Sequence, residues 1–431
     1  MQLKKMLKRI KSKRKKIEQS KNLNLHIIQI VLAIPFTDKK INLSEEEEIK
    51  AILKYWIRIL NIKLGWIQDF DKFVVNYVTF SFLFCIMKNI YLLFMNIIQI
   101  DHSTFDGDQF ICSGSSDNAV CIWDIDYNKQ IRSFNGHLNS VYCVKFSPYH
   151  YYNHRQNVIC SSSFDKTIRF WDINDSRQSQ IFNRHTDGIC CIELSPFNGG
   201  RYLCSGSGDK AICLWDVETS KSLHIFNGHK HFVWCVDISP IQSNNNNDNK
   251  SNHIGVIGGN GYTICSGSFD NTIRIWDVET AKQSVAFEGH GHWIRSVKYG
   301  SNELGMIDGP NTILSGSGDK SVRLWDIRSG QLIQLFNGHA GPVNAVEYSP
   351  FVVCGNSNVI CSASRDSTIR FWDIRSNKNE LYLIDGDDNE DGEITCLKFL
   401  QLRTNRKINN GRECGVKLCY GTVNGVIRMW G

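Results

Sequence analysis

From about residue 97 to the end of the chain, hydrophobic residues arrive in short runs that alternate with polar ones, as in Val141–Phe146 (VYCVKF) and Val233–Ile238 (VWCVDI). Gly, Ser, Asp or Pro interrupts every run. A period of two broken this often predicts short β-strands joined by turns and speaks against helical repeats. The strands follow a fixed order. Strand a often ends at Ser-Pro, as at Ser147-Pro148, Ser195-Pro196, Ser239-Pro240 and Ser349-Pro350. Strand b carries Ser-x-Ser and leads into a turn with Asp. Strand c ends at Trp, usually followed by Asp. Strand d, for example Ser222–Phe226, leads to the next unit.

The unit-ending tryptophans are Trp123, Trp171, Trp215, Trp276, Trp325, Trp372 and Trp430. Within the first six units one spacing never changes: Asp lies four residues after a Ser and six before the Trp. The sets are Ser113/Asp117/Trp123, Ser161/Asp165/Trp171, Ser205/Asp209/Trp215, Ser266/Asp270/Trp276, Ser315/Asp319/Trp325 and Ser362/Asp366/Trp372. Five units also have a Gly-His or Arg-His step before strand a, giving His137, His185, His229, His290 and His339. Four-strand units of this length build propeller blades.

This recurring Gly-His to Trp-Asp pattern resembles the WD-repeat family, over about 97–431. The resemblance implies an all-β, seven-bladed propeller in which His, Ser, Asp and Trp of one blade share a hydrogen-bond network. A His on the d–a loop and an Asp in the b–c turn sit at the same end of a blade, and buried polar groups there must be paired. Ser, His and Asp are also the residue types of a catalytic triad. Here they recur five times beside a Trp, whereas an active site is normally single, so the chain reads as non-enzymatic.

The pattern weakens at its ends. The first unit lacks Gly-His. The last has Gly386-Asp387 in its place, Tyr420 for Ser and Asn424 for Asp, and strand c runs to the final residues. The missing strand of the seventh blade is expected from the N-terminal side, somewhere in Val74–Met95, such as Val78–Phe84 or Ile90–Phe94; an open ring would expose strand edges. The chain thus divides into a basic tail (1–43), an apolar, partly helical region (44–96) that can supply this strand, and the propeller (97–431). Ser44-Glu45-Glu46-Glu47 reads as a capping box ahead of Ile49, Ile52, Leu53, Trp56, Ile57 and Leu60 at helical spacing. The apolar stretch 73–100 is long enough to span a membrane. Asn76, Lys88, Asn89 and Asn96 argue against it, so a membrane-tethered propeller stands as an alternative.

Charge and cysteines narrow the class. Residues 1–26 carry ten Lys/Arg and one Glu, so the +6 of the whole chain belongs to the tail and the rest sums to −3. Lys8–Lys16 (KRIKSKRKK) suits nuclear import or an anionic contact; nothing in the main body points to nucleic acid. Of sixteen cysteines, Cys112, Cys160, Cys204, Cys265 and Cys361 share one strand-b position, as buried reduced thiols of a cytoplasmic or nuclear protein would. His229-x-His231 and His290-x-His292 have metal-like spacing, but no carboxylate or Cys completes a site. Neither a metal, a cofactor nor a small-molecule substrate is implied. Gln242–Gly261 reads as a polar loop.

The candidate partner surface is the face holding the His loops and Asp turns. Residues flanking the first apolar position of strand a, or preceding the turn Asp, point there: Tyr142, Phe164, Phe232, Trp234, Phe269, Trp293, Arg295 and Arg365. Aromatics and Arg are the residues of binding hot spots. The expected partner is a protein or peptide segment, with the two Arg available for acidic groups. Trp325-Asp326-Ile327-Arg328 and Trp372-Asp373-Ile374-Arg375 also resemble motifs of WD-repeat substrate receptors for cullin–RING ubiquitin ligases. That resemblance makes Arg328 and Arg375 candidate ligase-adaptor contacts and a substrate receptor the alternative function.

Overall fold

The structure is a computed structural model that describes residues 88–90, 97–103, 109–125, 127, 129–239, 262–300, 311–350, 359–375, 380–386, 392–403 and 414–430. The expected helical region, the basic tail and the polar loop Gln242–Gly261 lie outside the described residues, apart from the strand at 88–90. The described strands form seven antiparallel sheets of four. The inner strands a are Ile97–His102, Val141–Phe146, Ile189–Leu194, Val233–Ile238, Ile294–Tyr299, Val343–Tyr348 and Ile394–Arg403. Each touches the next around the ring, and the last returns to the first. The fold is a closed, all-β, seven-bladed propeller.

Burial explains the composition of each strand. Strands b, such as Val158–Ser163 and Val359–Ser364, are buried at every residue because another blade covers each face. They are accordingly apolar or small on both sides. Outer strands d, such as Arg177–Phe182, are mostly exposed and end on a buried Phe.

Two local devices repeat in almost every blade. In the b–c turn the residue after Asp takes a left-handed conformation, from Ser367 (φ 62°) to Asn118 (φ 73°), with Gly425 in the last blade. Non-glycine residues pay for that geometry. The turn Asp offsets the cost: its Oδ1 accepts the amide two residues on, at 3.0 Å in blades 1 to 6. In strand b, Gly lies under the first residue of the next blade. A Cβ at Gly267 would sit 2.5 Å from Ile294 Cγ2, and one at Gly421 would sit 2.7 Å from Ile97 Cγ2. The second contact joins blade 7 to blade 1, beside a hydrogen bond from Thr395 Oγ1 to the Ile97 carbonyl (2.6 Å).

Blade 7 takes its fourth strand from upstream of blade 1. Lys88–Ile90 runs antiparallel to Ile427–Trp430, with Lys88 opposite Met429 and Ile90 opposite Ile427. The strand falls within the expected Val74–Met95; of the two example segments Ile90 belongs to it, while 91–94 and Val78–Phe84 lie outside the described residues. The described parts of the 73–100 stretch, 88–90 and 97–100, are therefore blade strands. Among the described residues no helix is long and apolar enough to cross a membrane.

The described cysteines are buried and unpaired. Cys112, Cys160, Cys204, Cys265 and Cys361 are each 0% exposed, and burial pushes their thiols up, keeping them protonated.

Candidate functional site

Five blades contain the same hydrogen-bonded chain. In blade 4, Trp276 Nε1 donates to Ser266 Oγ (2.8 Å), Ser266 Oγ meets His229 Nε2 (2.7 Å), and His229 Nδ1 meets Asp270 Oδ2 (2.8 Å). Trp171–Ser161–His137–Asp165, Trp215–Ser205–His185–Asp209, Trp325–Ser315–His290–Asp319 and Trp372–Ser362–His339–Asp366 repeat it, each contact between 2.7 and 2.9 Å. An ionised Asp only accepts, so Nδ1 carries the imidazole proton, Nε2 accepts from Ser, and Ser receives the Trp N–H. The same Asp oxygen takes the amide after the His, at 2.7 to 3.0 Å across the five blades. Blade 1 keeps only Trp123 Nε1 to Ser113 Oγ (2.9 Å).

The five network serines are 0% exposed. These Ser–His–Asp sets are enclosed in the blades and tie the d–a loops to the strands. Gly precedes His in four blades because the Trp lies against it: a Cβ at Gly136 would sit 2.7 Å from Trp171 Cη2.

Burial pushes these carboxyls up, but the hydrogen bonds from His and the loop amide overturn it and hold all five below the usual range. Burial also lowers His229 and His290, against the pull of their Asp partners. A carboxyl lowered in the native state stabilises it fully above the unfolded value and loses this as pH falls. A lowered His acts in the same sense, beginning below about pH 6.5. The network's contribution to stability is therefore expected to fall mildly from about pH 6.5 and steeply below about pH 4. Near-ultraviolet circular dichroism against pH measures this; stability that rises between pH 5 and 3 would contradict it.

The structure brings all eight candidate partner residues to the channel mouth on this face, each half-buried. The rings form a continuous path. Phe164 and Tyr142 are 5.5 Å apart, Tyr142 meets Trp234 edge-on at 5.5 Å, Trp234 stacks on Phe269 at 5.0 Å, and Phe269 stacks on Trp293 at 5.3 Å. Phe232 stacks on Phe269 from outside at 6.0 Å. The Arg295 guanidinium lies 5.1 Å from the Trp234 ring centre and 5.7 Å from that of Trp293. Arg365 Nε is 3.3 Å from Glu393 Oε2. His231 packs on Phe232 and Phe269, and His292 on Trp293. Among the described residues no group of His, Cys, Asp and Glu could hold a metal ion.

Arg328 and Arg375 are exposed in c–d turns, at the opposite end of the blades. Arg375 forks onto its own Asp373 at 3.1 and 3.0 Å.

One constellation escaped the sequence reading. The fifth residue of every strand a is charged: Asp101, Lys145, Glu193, Asp237, Lys298, Glu347 and Lys398. Together they belt the central channel. Lys145 meets Glu193 at 2.7 Å, Lys298 meets Glu193 at 3.7 Å and Glu347 at 4.0 Å, and Lys398 meets Glu347 at 3.5 Å. Two carboxylates stand outside this chain and accept backbone amides of the next blade, Asp101 from Phe146 (3.0 Å) and Asp237 from Tyr299 (2.8 Å). The signal was present in the sequence, one charged residue at the fifth position of each strand a. Only the ring geometry reveals that the seven share one belt.

A seven-bladed propeller with hydrogen-bonded loop clamps and an aromatic channel mouth is the architecture of a rigid repeat platform. The family model described as WD domain, G-beta repeat matches residues 100–124, 128–172, 176–216, 220–277, 281–326 and 330–373. These stretches make up more than half of the chain, which belongs to the WD-repeat family. The seventh blade, whose Ser and turn Asp are replaced, lies beyond the matched stretches. A comparison with curated proteins finds no match.

Proposed function

We propose that the chain is a non-enzymatic scaffold that binds a protein or peptide segment at the channel mouth on the face of the His loops and Asp turns. The observation that carries this reading is the aromatic path from Phe164 through Tyr142, Trp234 and Phe269 to Trp293. Five rings from three blades stay half-open at the mouth. Rigid aromatic area set on stiff strands binds at low entropic cost. The buried network below fixes the loop tips and leaves the mouth little freedom to relax.

Trp234→Ala and Trp293→Ala are each expected to weaken capture of the natural partner by about 30-fold, near 2 kcal/mol, with folding unchanged by circular dichroism. Affinity purification of wild type and variants with quantitative mass spectrometry reads this directly. A partner set identical in wild type and both variants would remove the mouth as the binding surface.

A further inference from the structure

Resting on the reading of the mouth as a peptide site, we propose that Arg295 and Arg365 form a carboxylate-binding subsite, that it takes an acidic side chain of the bound segment, and that Glu393 fills part of it when the segment is absent. Three observations lead here. First, the cation–π cage made by Trp234 and Trp293 is occupied by the protein's own Arg295. A cage that already holds a guanidinium has no room for a ligand Lys or Arg, and what it offers outward is positive charge. Second, that charge is underpaired. Arg295 Nε is buried with no hydrogen-bond partner among the described residues. Burial and the neighbouring Arg365 together pull Arg295 down to about 10. Two guanidinium groups thus share a half-buried site with one carboxylate, leaving a surplus positive charge where desolvation makes that expensive.

Third, the carboxylate already present shows which chemistry fits. Glu393 precedes the inner strand of blade 7 and reaches back to Arg365 at 3.3 Å, with both side chains partly exposed at 43% and 37%. A pair this open is weak and readily exchanged. A ligand carboxylate can take over the exposed part of Arg365 and at the same time offset the Arg295 charge that Glu393 alone leaves in surplus. Arg–carboxylate bonding of this kind is directional and charge-assisted.

The test is an array of peptides with fixed apolar flanks and a central Glu, Gln or Lys, bound to the full-length chain and to its R295Q, R365Q and E393Q variants. Glu-centred peptides are expected to bind about tenfold more tightly than their Gln counterparts and Lys-centred ones more weakly than either. R295Q and R365Q should each erase the preference for Glu over Gln while still binding through the aromatic path. E393Q should strengthen Glu-centred peptides several-fold, the outcome a purely structural Glu393 would not give. Equal binding of Glu and Gln peptides by the wild-type chain, or weaker binding by E393Q, overturns the subsite and leaves the peptide reading intact. Failure of every peptide to bind overturns both.

Discussion

Replacing Lys298 by Met is expected to destabilise the propeller by about 3 kcal/mol at pH 8 and by clearly less at pH 5. Lys298 holds the middle of the channel belt, 3.7 Å from Glu193 and 4.0 Å from Glu347, and its side chain is 22% exposed to the channel. Its neighbours drive its own basicity well up against the effect of burial. Removing one partner of an enclosed pair strands the others, typically at 3–5 kcal/mol. The low end applies because Glu193 keeps Lys145 and Glu347 keeps Lys398. The carboxyl that loses its strongest cationic neighbour is Asp237. Burial already raises its carboxyl to about 6, Lys298 is the strongest influence opposing that rise, and Glu193 adds to it.

The sign follows from linkage. A carboxyl raised in the native state binds a proton that the unfolded chain has released, so falling pH favours the native form between the two values. In the variant Asp237 rises further, above about 6, so it is already protonated at pH 5, which relieves the uncompensated charge. Denaturant midpoints of the wild type and Lys298→Met at both pH values measure the difference. Adding Asp237→Asn should restore about half of the loss at pH 8, since Asn still accepts the Tyr299 amide. Equal losses at pH 5 and pH 8, together with no rescue by the second change, would show that the belt is not an electrostatic unit.

The fold was readable in the sequence because its determinants are local and repeated. A strand that runs apolar, small and apolar again, a turn Asp at constant distance, and a Trp that seats the turn define a blade without reference to any other blade. The strand Lys88–Ile90 was less readable. It is short and pairs with residues at the far end of the chain, so its identity depends on ring closure and leaves no periodic trace. The five complete hydrogen-bond sets could be named residue by residue for the same reason as the blades. Alternation along strand a picks out Tyr142, Trp234 and Arg295, and the fixed places before strand a and before the turn Asp pick out the other candidates at the mouth. The self-filled cage at Arg295 and the belt at Asp237 and Lys298 could not be read this way. Both arise between blades whose positions relative to one another are set by the circle and not by sequence distance.

The turn Asp offers an internal comparison with a large expected difference. Asp270→Ala is expected to cost about 3 kcal/mol, whereas Asp117→Ala at the equivalent place in blade 1 costs under about 1 kcal/mol. The Asp270 side chain is only 6% exposed and accepts from His229 Nδ1 (2.8 Å), the Lys230 amide (2.9 Å), the Thr272 amide (3.0 Å) and Thr272 Oγ1 (2.6 Å). Its loss leaves several donors without an acceptor, and each unsatisfied buried donor costs about 1–3 kcal/mol before the site relaxes. Asp117 is exposed and its Oδ1 serves the Ala119 amide at 3.0 Å, with no His before the blade. Asp270→Asn sharpens the argument. The amide oxygen can still accept from the Thr272 backbone, but its NH₂ then faces both the Lys230 amide and His229 Nδ1. The imidazole would have to move its proton to Nε2, where Ser266 Oγ already receives the Trp276 N–H. Asn is therefore expected to recover less than half of the loss caused by Ala, although it is nearly isosteric with Asp. Denaturant midpoints of the three variants decide the matter: an Asn variant as stable as wild type would mean that the network is held by shape and not by the direction of its hydrogen bonds.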